Sequence, residues 1–200
     1  MNWIILAATV LAMLASFVSL GYQPFKLKGK ARWLWLFGIF GVNFWCVTAL
    51  ELFGCETLEG ISGSLLVNLL SLMSITDLRE KMVYHIHFYC LLGIGIVSAF
   101  IPSQDVFWMR FLVFGCALGI FWLLSRKRQD VGGIDLRSLS CLALYFPFSR
   151  WFETVLLTLF CAMIWGLAGI IIRKKNMKSE IPFLPFMLIG TLLEYTARCL

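Results

Sequence analysis

Eight apolar runs separated by short polar connections follow one another along the chain, at residues 3–20, 33–54, 61–77, 84–101, 107–124, 136–148, 152–172 and 182–197. A helix needs roughly 20 predominantly apolar residues to cross the hydrocarbon of a bilayer, and most of these runs approach that length. The sixth and eighth are shorter, which predicts helices that are tilted, partly buried in the bundle or only partly spanning. The pattern therefore predicts an all-α fold: a polytopic integral membrane helical bundle of about eight spans, six at the fewest. One domain covers residues 1–200, with two amino-terminal spans in 1–58 and the remaining bundle in 59–200.

Composition agrees with this class and removes others. Hydrophobic residues make up 60% of the chain and charged residues only 14%, the profile of a membrane protein and not of a soluble core. The net charge of +6 does not point to nucleic acid, because the basic residues form short clusters between apolar runs and never one continuous face. Their placement carries topology instead. Lys26, Lys28, Lys30 and Arg32 follow the first run, Arg79 and Lys81 the third, Arg126, Lys127, Arg128 and Arg137 flank the gap after the fifth, and Arg173, Lys174, Lys175 and Lys178 follow the seventh. Arg110, Arg150 and Arg198 are left for the opposite face, so the positive-inside rule puts the amino terminus outside and the basic connections in the cytoplasm. Residues 1–20 have no Lys or Arg ahead of their apolar run and four basic residues soon after it, the reverse of a secretory signal, and read as a retained span.

Candidate metal and redox chemistry is thin. The cysteines at 46, 55, 90, 116, 141, 161 and 199 include no C-x-x-C pair, so neither a zinc ribbon nor a redox dithiol is supported, and they read as packing residues, with Cys55 the one to watch for oxidation. His85 and His87, with Cys90 nearby, read as interfacial histidines opening the fourth run, and no metal is assigned. Trp33, Trp35, Trp108 and Trp151 read as interface anchors. Gly38, Gly41, Ser71 and Ser74 read as small residues that let helices approach closely.

Chemistry concentrates in three segments on the basic side. The first is Thr76-Asp77-Leu78-Arg79-Glu80-Lys81-Met82-Val83-Tyr84-His85, where an aspartate ends an apolar run and a charged turn follows. In the second, Val131-Gly132-Gly133-Ile134-Asp135-Leu136-Arg137, the paired glycines permit a tight turn or a close backbone approach before the aspartate. The third is Ile181-Pro182-Phe183-Leu184-Pro185-Phe186, whose prolines resist regular hydrogen bonding and leave carbonyls unpaired near the site. An ionisable side chain beside hydrocarbon is costly and marks a functional position. Asp135 has a competing structural explanation, since it is placed to cap the helix it precedes. Asp77 ends a helix, where the dipole disfavours negative charge, so capping explains it poorly.

Together the three segments resemble the type IV prepilin peptidases, membrane aspartic peptidases that include the preflagellin peptidases. In that family the first aspartate opens a pattern like D-L-R-x-x-x-I-P-N, the second closes a G-x-G-D or G-G-A-D pattern with a basic residue after it, and a later segment reads like I-P-F-G-P-F. Asp77-Leu78-Arg79 with Val83, Gly132-Gly133-Ile134-Asp135 with Arg137, and Ile181 to Phe186 match in order, from about residue 60 to the end of the chain. Tyr84 and His85 stand in place of the family's Pro and Asn, and Ile134 in place of Gly or Ala. Only the short loop from Gly21 to Ala31 stands where bifunctional bacterial members carry zinc-binding C-x-x-C pairs linked to methylation.

The resemblance implies an aspartic endopeptidase with Asp77 and Asp135 as catalytic pair, supported by Gly132, Gly133, Arg79, Arg137, Pro182 and Pro185, and needing no cofactor. It implies a prepilin-like or preflagellin-like substrate cleaved at the cytoplasmic face of a prokaryotic plasma membrane, with 59–200 as catalytic core. Two close carboxylates do not both ionise readily, so one holds a proton while the other activates water. Glu80, Asp130 and Glu180 are candidates to attract the basic leader, or simply solvated loop charges. The lipid bilayer is a partner, nucleic acid is not, and association into a homo-oligomer stays open. Two other classes remain: a catalytically degenerate member acting as an assembly partner, for which Ile134 is the main support because a β-branched residue does not readily take positive φ, and a small transporter subunit, for which Asn43 and Asn68 are the polar candidates within spans.

Overall fold

The computed structural model describes residues 10, 38, 41, 57–81, 83–101, 107–127, 133–173 and 182–197. The runs at 3–20 and 33–54, with Gly132, Cys55, Trp33 and Trp35, lie outside the described residues apart from isolated positions. Six helices follow in order: α1 (Thr57–Glu80), α2 (His85–Ala99), α3 (Phe107–Lys127), α4 (Gly133–Tyr145), α5 (Phe148–Arg173) and α6 (Leu184–Ala197). Among the described residues there is no strand.

Three helices are long and apolar enough to cross a membrane, at Leu58–Glu80, Phe107–Leu124 and Phe148–Gly169. This corrects the expectation of about eight spans, because the fourth, sixth and eighth runs form helices of only 15, 13 and 14 residues. At 1.5 Å per residue each is about 20 to 23 Å long, against a hydrocarbon thickness of about 30 Å. The boundary between the sixth and seventh runs also moves. Pro147 cannot donate to a continuing helix, so α4 stops at Tyr145, and α5 starts at Phe148 with the Trp151 N–H donating to the Pro147 carbonyl at 2.8 Å.

Burial sorts the helices into centre and rim. The spanning window of α1 is 67% buried, those of α3 and α5 only 11% and 17%, so α1 is enclosed while α3 and α5 present broad apolar faces. Trp108, Leu112 and Leu123 on α3, and Phe160, Met163 and Ile171 on α5, are all exposed. A patch of that extent belongs against lipid. α4 is buried at every position from Ser138 to Tyr145, which explains why its short run carries no lipid-facing stripe.

Alternation of helix direction follows from contacts at the two ends. Tyr145 at the end of α4 donates its hydroxyl to the Leu91 carbonyl of α2 at 2.7 Å, and Trp151 at the start of α5 donates its indole N–H to Leu139 of α4 at 3.0 Å. Arg110, in the first turn of α3 and buried, donates to the Ser98 carbonyl at 3.2 Å and the Leu144 carbonyl at 3.5 Å, so one guanidinium serves the carboxyl-terminal ends of both α2 and α4. Trp151 is thus a core residue and not an interface anchor, while Trp108 is exposed.

Close helix approach falls at other glycines than those anticipated. A Cβ on Gly38 or Gly41 would meet nothing within 4 Å, whereas one on Gly190 of α6 would collide with the Thr158 side chain of α5 and lie 3.1 Å from the Thr154 carbonyl. One on Gly95 of α2 would lie 2.9 Å from Tyr145. Ser71 and Ser74 of α1 return their hydroxyls to the Val67 and Leu70 carbonyls at 2.7 and 2.6 Å. Such internal bonds let a serine sit in an apolar interior without an unsatisfied donor.

Candidate functional site

The site is built where the end of α1 meets the start of α6, with the start of α4 near enough for Asp135 to feel the charge of Asp77. Asp77 lies in the last turn of α1, its side chain buried. Four residues on, the Lys81 N–H donates to the Asp77 carbonyl at 3.1 Å, and Lys81 takes a left-handed backbone with φ 51°, the conformation that ends many helices. α1 therefore stops at the charged turn the sequence announces. Tyr84 next fixes the entry to α2: its hydroxyl donates to Glu80 Oε2 at 2.6 Å, and its ring meets His87 edge-on with centroids 6.0 Å apart. Its φ of −75° lies within the range of a proline, so the departure from the family's Pro leaves the backbone at this position as a proline would hold it.

The Pro-Phe segment meets Asp77 directly. The Leu184 N–H, at the first residue of α6, donates to Asp77 Oδ2 at 3.0 Å in a buried setting. Asp77 thereby caps the amino terminus of a distant helix while ending its own, so the capping explanation rejected for its own helix holds for α6. The expectation of unpaired carbonyls in this segment is corrected at Phe183, whose carbonyl accepts from the Phe186 and Met187 N–H groups at 3.1 and 3.2 Å. What the segment turns toward the carboxylate is a donor.

Asp135 occupies the first turn of α4, where the helix dipole favours a negative charge. Burial, and after it the charge of Asp77, nevertheless push the Asp135 carboxyl up to about 7. Two carboxylates far apart in sequence thus feel one another at one end of the bundle. Among the described residues no hydrogen-bond donor serves Asp135, so the two acids stand in unlike surroundings. Ile134 lies within the helical backbone of α4, and Lys81 is the only non-glycine residue with positive φ among the described residues.

The remaining candidates divide. Gly133 begins α4, and a Cβ there would meet nothing within 4 Å, so there is open space beside it. Pro182 and Pro185 are half-buried around Leu184, and Pro185 occupies the first turn of α6, where its missing N–H costs nothing. Arg79 and Arg137 are on the exposed surface. His85 is exposed and His87 buried, and among the described residues no three His, Cys, Asp or Glu side chains are grouped to hold a metal ion. Sequence reasoning missed Glu194, buried in α6 and 3.9 Å from Arg150 of α5. It also missed the buried role of Arg110; a charge inside an apolar run was the available signal for both.

A family model described as the type IV leader peptidase family matches residues 64–167, just over half of the chain and enclosing both aspartates. No curated protein sequence and no solved structure matches it.

Proposed function

The chain belongs to the type IV leader peptidase family, and from that premise we propose that it is an aspartic endopeptidase whose Asp77 and Asp135 jointly activate one water. The observation that carries the reading is the electrostatic coupling of the two carboxyls at one end of the bundle, with Asp135 pushed up to about 7 by burial and by Asp77. Such a pair holds one proton between them near neutral pH. Asp135 is its resting place and Asp77, with the Leu184 amide on its other oxygen, is the base.

In this reaction Asp77 takes a proton from water as the oxygen attacks the scissile carbonyl carbon, and Asp135 gives its proton to the carbonyl oxygen. The tetrahedral intermediate collapses with cleavage of the C–N bond and transfer of a proton to the leaving nitrogen. Arg79, Arg137, Gly132, Gly133, Pro182 and Pro185 would support the substrate or the loops around the pair. The substrate class is a pilin-like or preflagellin-like precursor, whose apolar helix can lie in the bilayer against the bundle while its basic leader stays in water. The active end faces the cytoplasm of a prokaryotic plasma membrane, and residues 59–200 form the catalytic core. Ile134 lends no support to a degenerate member, because a helical φ suits a β-branched residue.

Co-expression with a pilin precursor tests the proposal. Wild type removes the leader, seen as a gel shift and a defined product mass, and Asp77→Asn or Asp135→Asn abolishes the shift while the variant protein still accumulates in membranes. Cysteines placed at 28, 128 and 175 react with a membrane-impermeant reagent only from the cytoplasmic side. Full cleavage by either variant, or labelling from outside intact cells, contradicts the corresponding part.

A further inference from the structure

The two aspartates are chemically alike, yet only one has a backbone donor among the described residues. Asp77 Oδ2 accepts the Leu184 N–H at 3.0 Å. A buried N–H bonded to a carboxylate is among the stronger hydrogen bonds a protein makes, and this one sits at the positive end of a helix.

Three features hold that amide in place. The Leu184 side chain is fully buried in the core, so it anchors the residue that presents the N–H. The preceding Phe183 carbonyl is engaged by the Phe186 and Met187 N–H groups, which fixes the first turn of α6. Further along, Gly190 seats α6 against Thr154 and Thr158 of α5 so closely that no Cβ fits, and this sets the position of the helix along its axis. The donor is thus placed by an interface and not by a loop.

We propose that Leu184 is a positioning residue for the reaction: its backbone N–H orients the Asp77 carboxylate and makes Asp77, not Asp135, the base of the pair. The proposal rests on the two-aspartate reading above and adds to it the assignment of roles and the element that enforces them. Pro185 contributes by taking the neighbouring position without an N–H of its own, so the donors at the carboxylate are the Leu184 amide and, more weakly, that of Phe183.

The test replaces the Leu184 amide by an ester, incorporating the α-hydroxy analogue of leucine in the full chain in membranes, and follows cleavage of a pilin-like precursor against pH. Losing a hydrogen bond to a charged group weakens the ionised base, so kcat falls about 10-fold or more, KM stays within about twofold, and the acid limb of the profile moves up by about one pH unit. Leu184→Pro removes the same N–H at a helix position that accepts proline and shifts the limb likewise. Leu184→Ala keeps the N–H and loses only the packing that anchors it, so it moves the limb by less than the ester or Leu184→Pro does. An ester variant with an unmoved acid limb overturns the proposal, as does Leu184→Ala shifting the limb as far as Leu184→Pro. If wild type and Asp77→Asn cleave alike, the two-aspartate reading fails and this proposal with it; cleavage lost in Asp77→Asn but an unmoved limb in the ester overturns the positioning role alone.

Discussion

The charge of Asp77 on α1 reaches Asp135 on α4 and, added to burial, pushes that carboxyl up to about 7 from the ordinary 3.8. The acid form of Asp135 therefore persists close to neutrality, although it lies in a helix turn that would favour the ionised form.

Activity should accordingly fall as pH rises through about 7, because the proton that polarises the scissile carbonyl is then lost. A profile of kcat/KM against pH should show this alkaline limb, with a slope approaching tenfold per unit. The same shift has a sign for stability. The folded chain binds the Asp135 proton more tightly than the unfolded chain, so the contribution is complete below about 4 and lost as pH rises through about 7. Cleavage that keeps rising past pH 8 would remove Asp135 as the acid.

Ile134→Gly should not increase cleavage. Ile134 lies inside α4 with helical backbone, so glycine adds only flexibility, at a cost of about 0.5 to 1 kcal/mol. Thermal denaturation in detergent and the precursor assay would read this together. An inert wild type switched on by Ile134→Gly would mean that the isoleucine blocks the active geometry.

Gly190→Ala and Gly133→Ala should separate packing from catalysis. A Cβ at 190 collides with Thr158, and overpacking of this kind costs about 1 to 3 kcal/mol. At 133 the added methyl meets nothing within 4 Å, so stability should change by less than about 0.5 kcal/mol. Loss of cleavage in Gly133→Ala at unchanged stability would mark the open space beside it as room for the substrate backbone.

Arg110→Met should destabilise by about 2 kcal/mol without altering the pH profile. The guanidinium meets the Ser98 and Leu144 carbonyls at the far end of α2 and α4, and bonds from a charged donor are worth about 1.5 to 3 kcal/mol. Denaturation midpoints against wild type would measure the loss. A variant as stable as wild type would show that the ends of α2 and α4 do not depend on it.

The aspartates and the Pro-Phe segment stand out in the sequence because each breaks an apolar run with a residue type that needs a reason to be there. Helix lengths were less so. Hydropathy reads apolarity and not what covers it, and α4, buried from Ser138 to Tyr145, looks in sequence like a short span. Contacts between distant elements left no local trace. Nothing near Asp77 announces that its partner is the amide of Leu184, and the periodicity around Trp151 does not say that its indole turns to Leu139. The charged turn after Asp77 was foreseen, but not that Lys81 would make it with a left-handed backbone or that Tyr84 would take a proline-like φ.

Cleavage depends on Asp77 and Asp135 acting as one coupled pair, and the titration of Asp135 is the most direct test of it. With carbon-13 labelled aspartate in nanodiscs, the Asp135 carboxyl should titrate near 7 in wild type. In Asp77→Asn it should move down, losing the charge of its partner, yet stay above 3.8 because burial, the larger cause, remains. An Asp135 titration that does not change when Asp77 is replaced would contradict the pair.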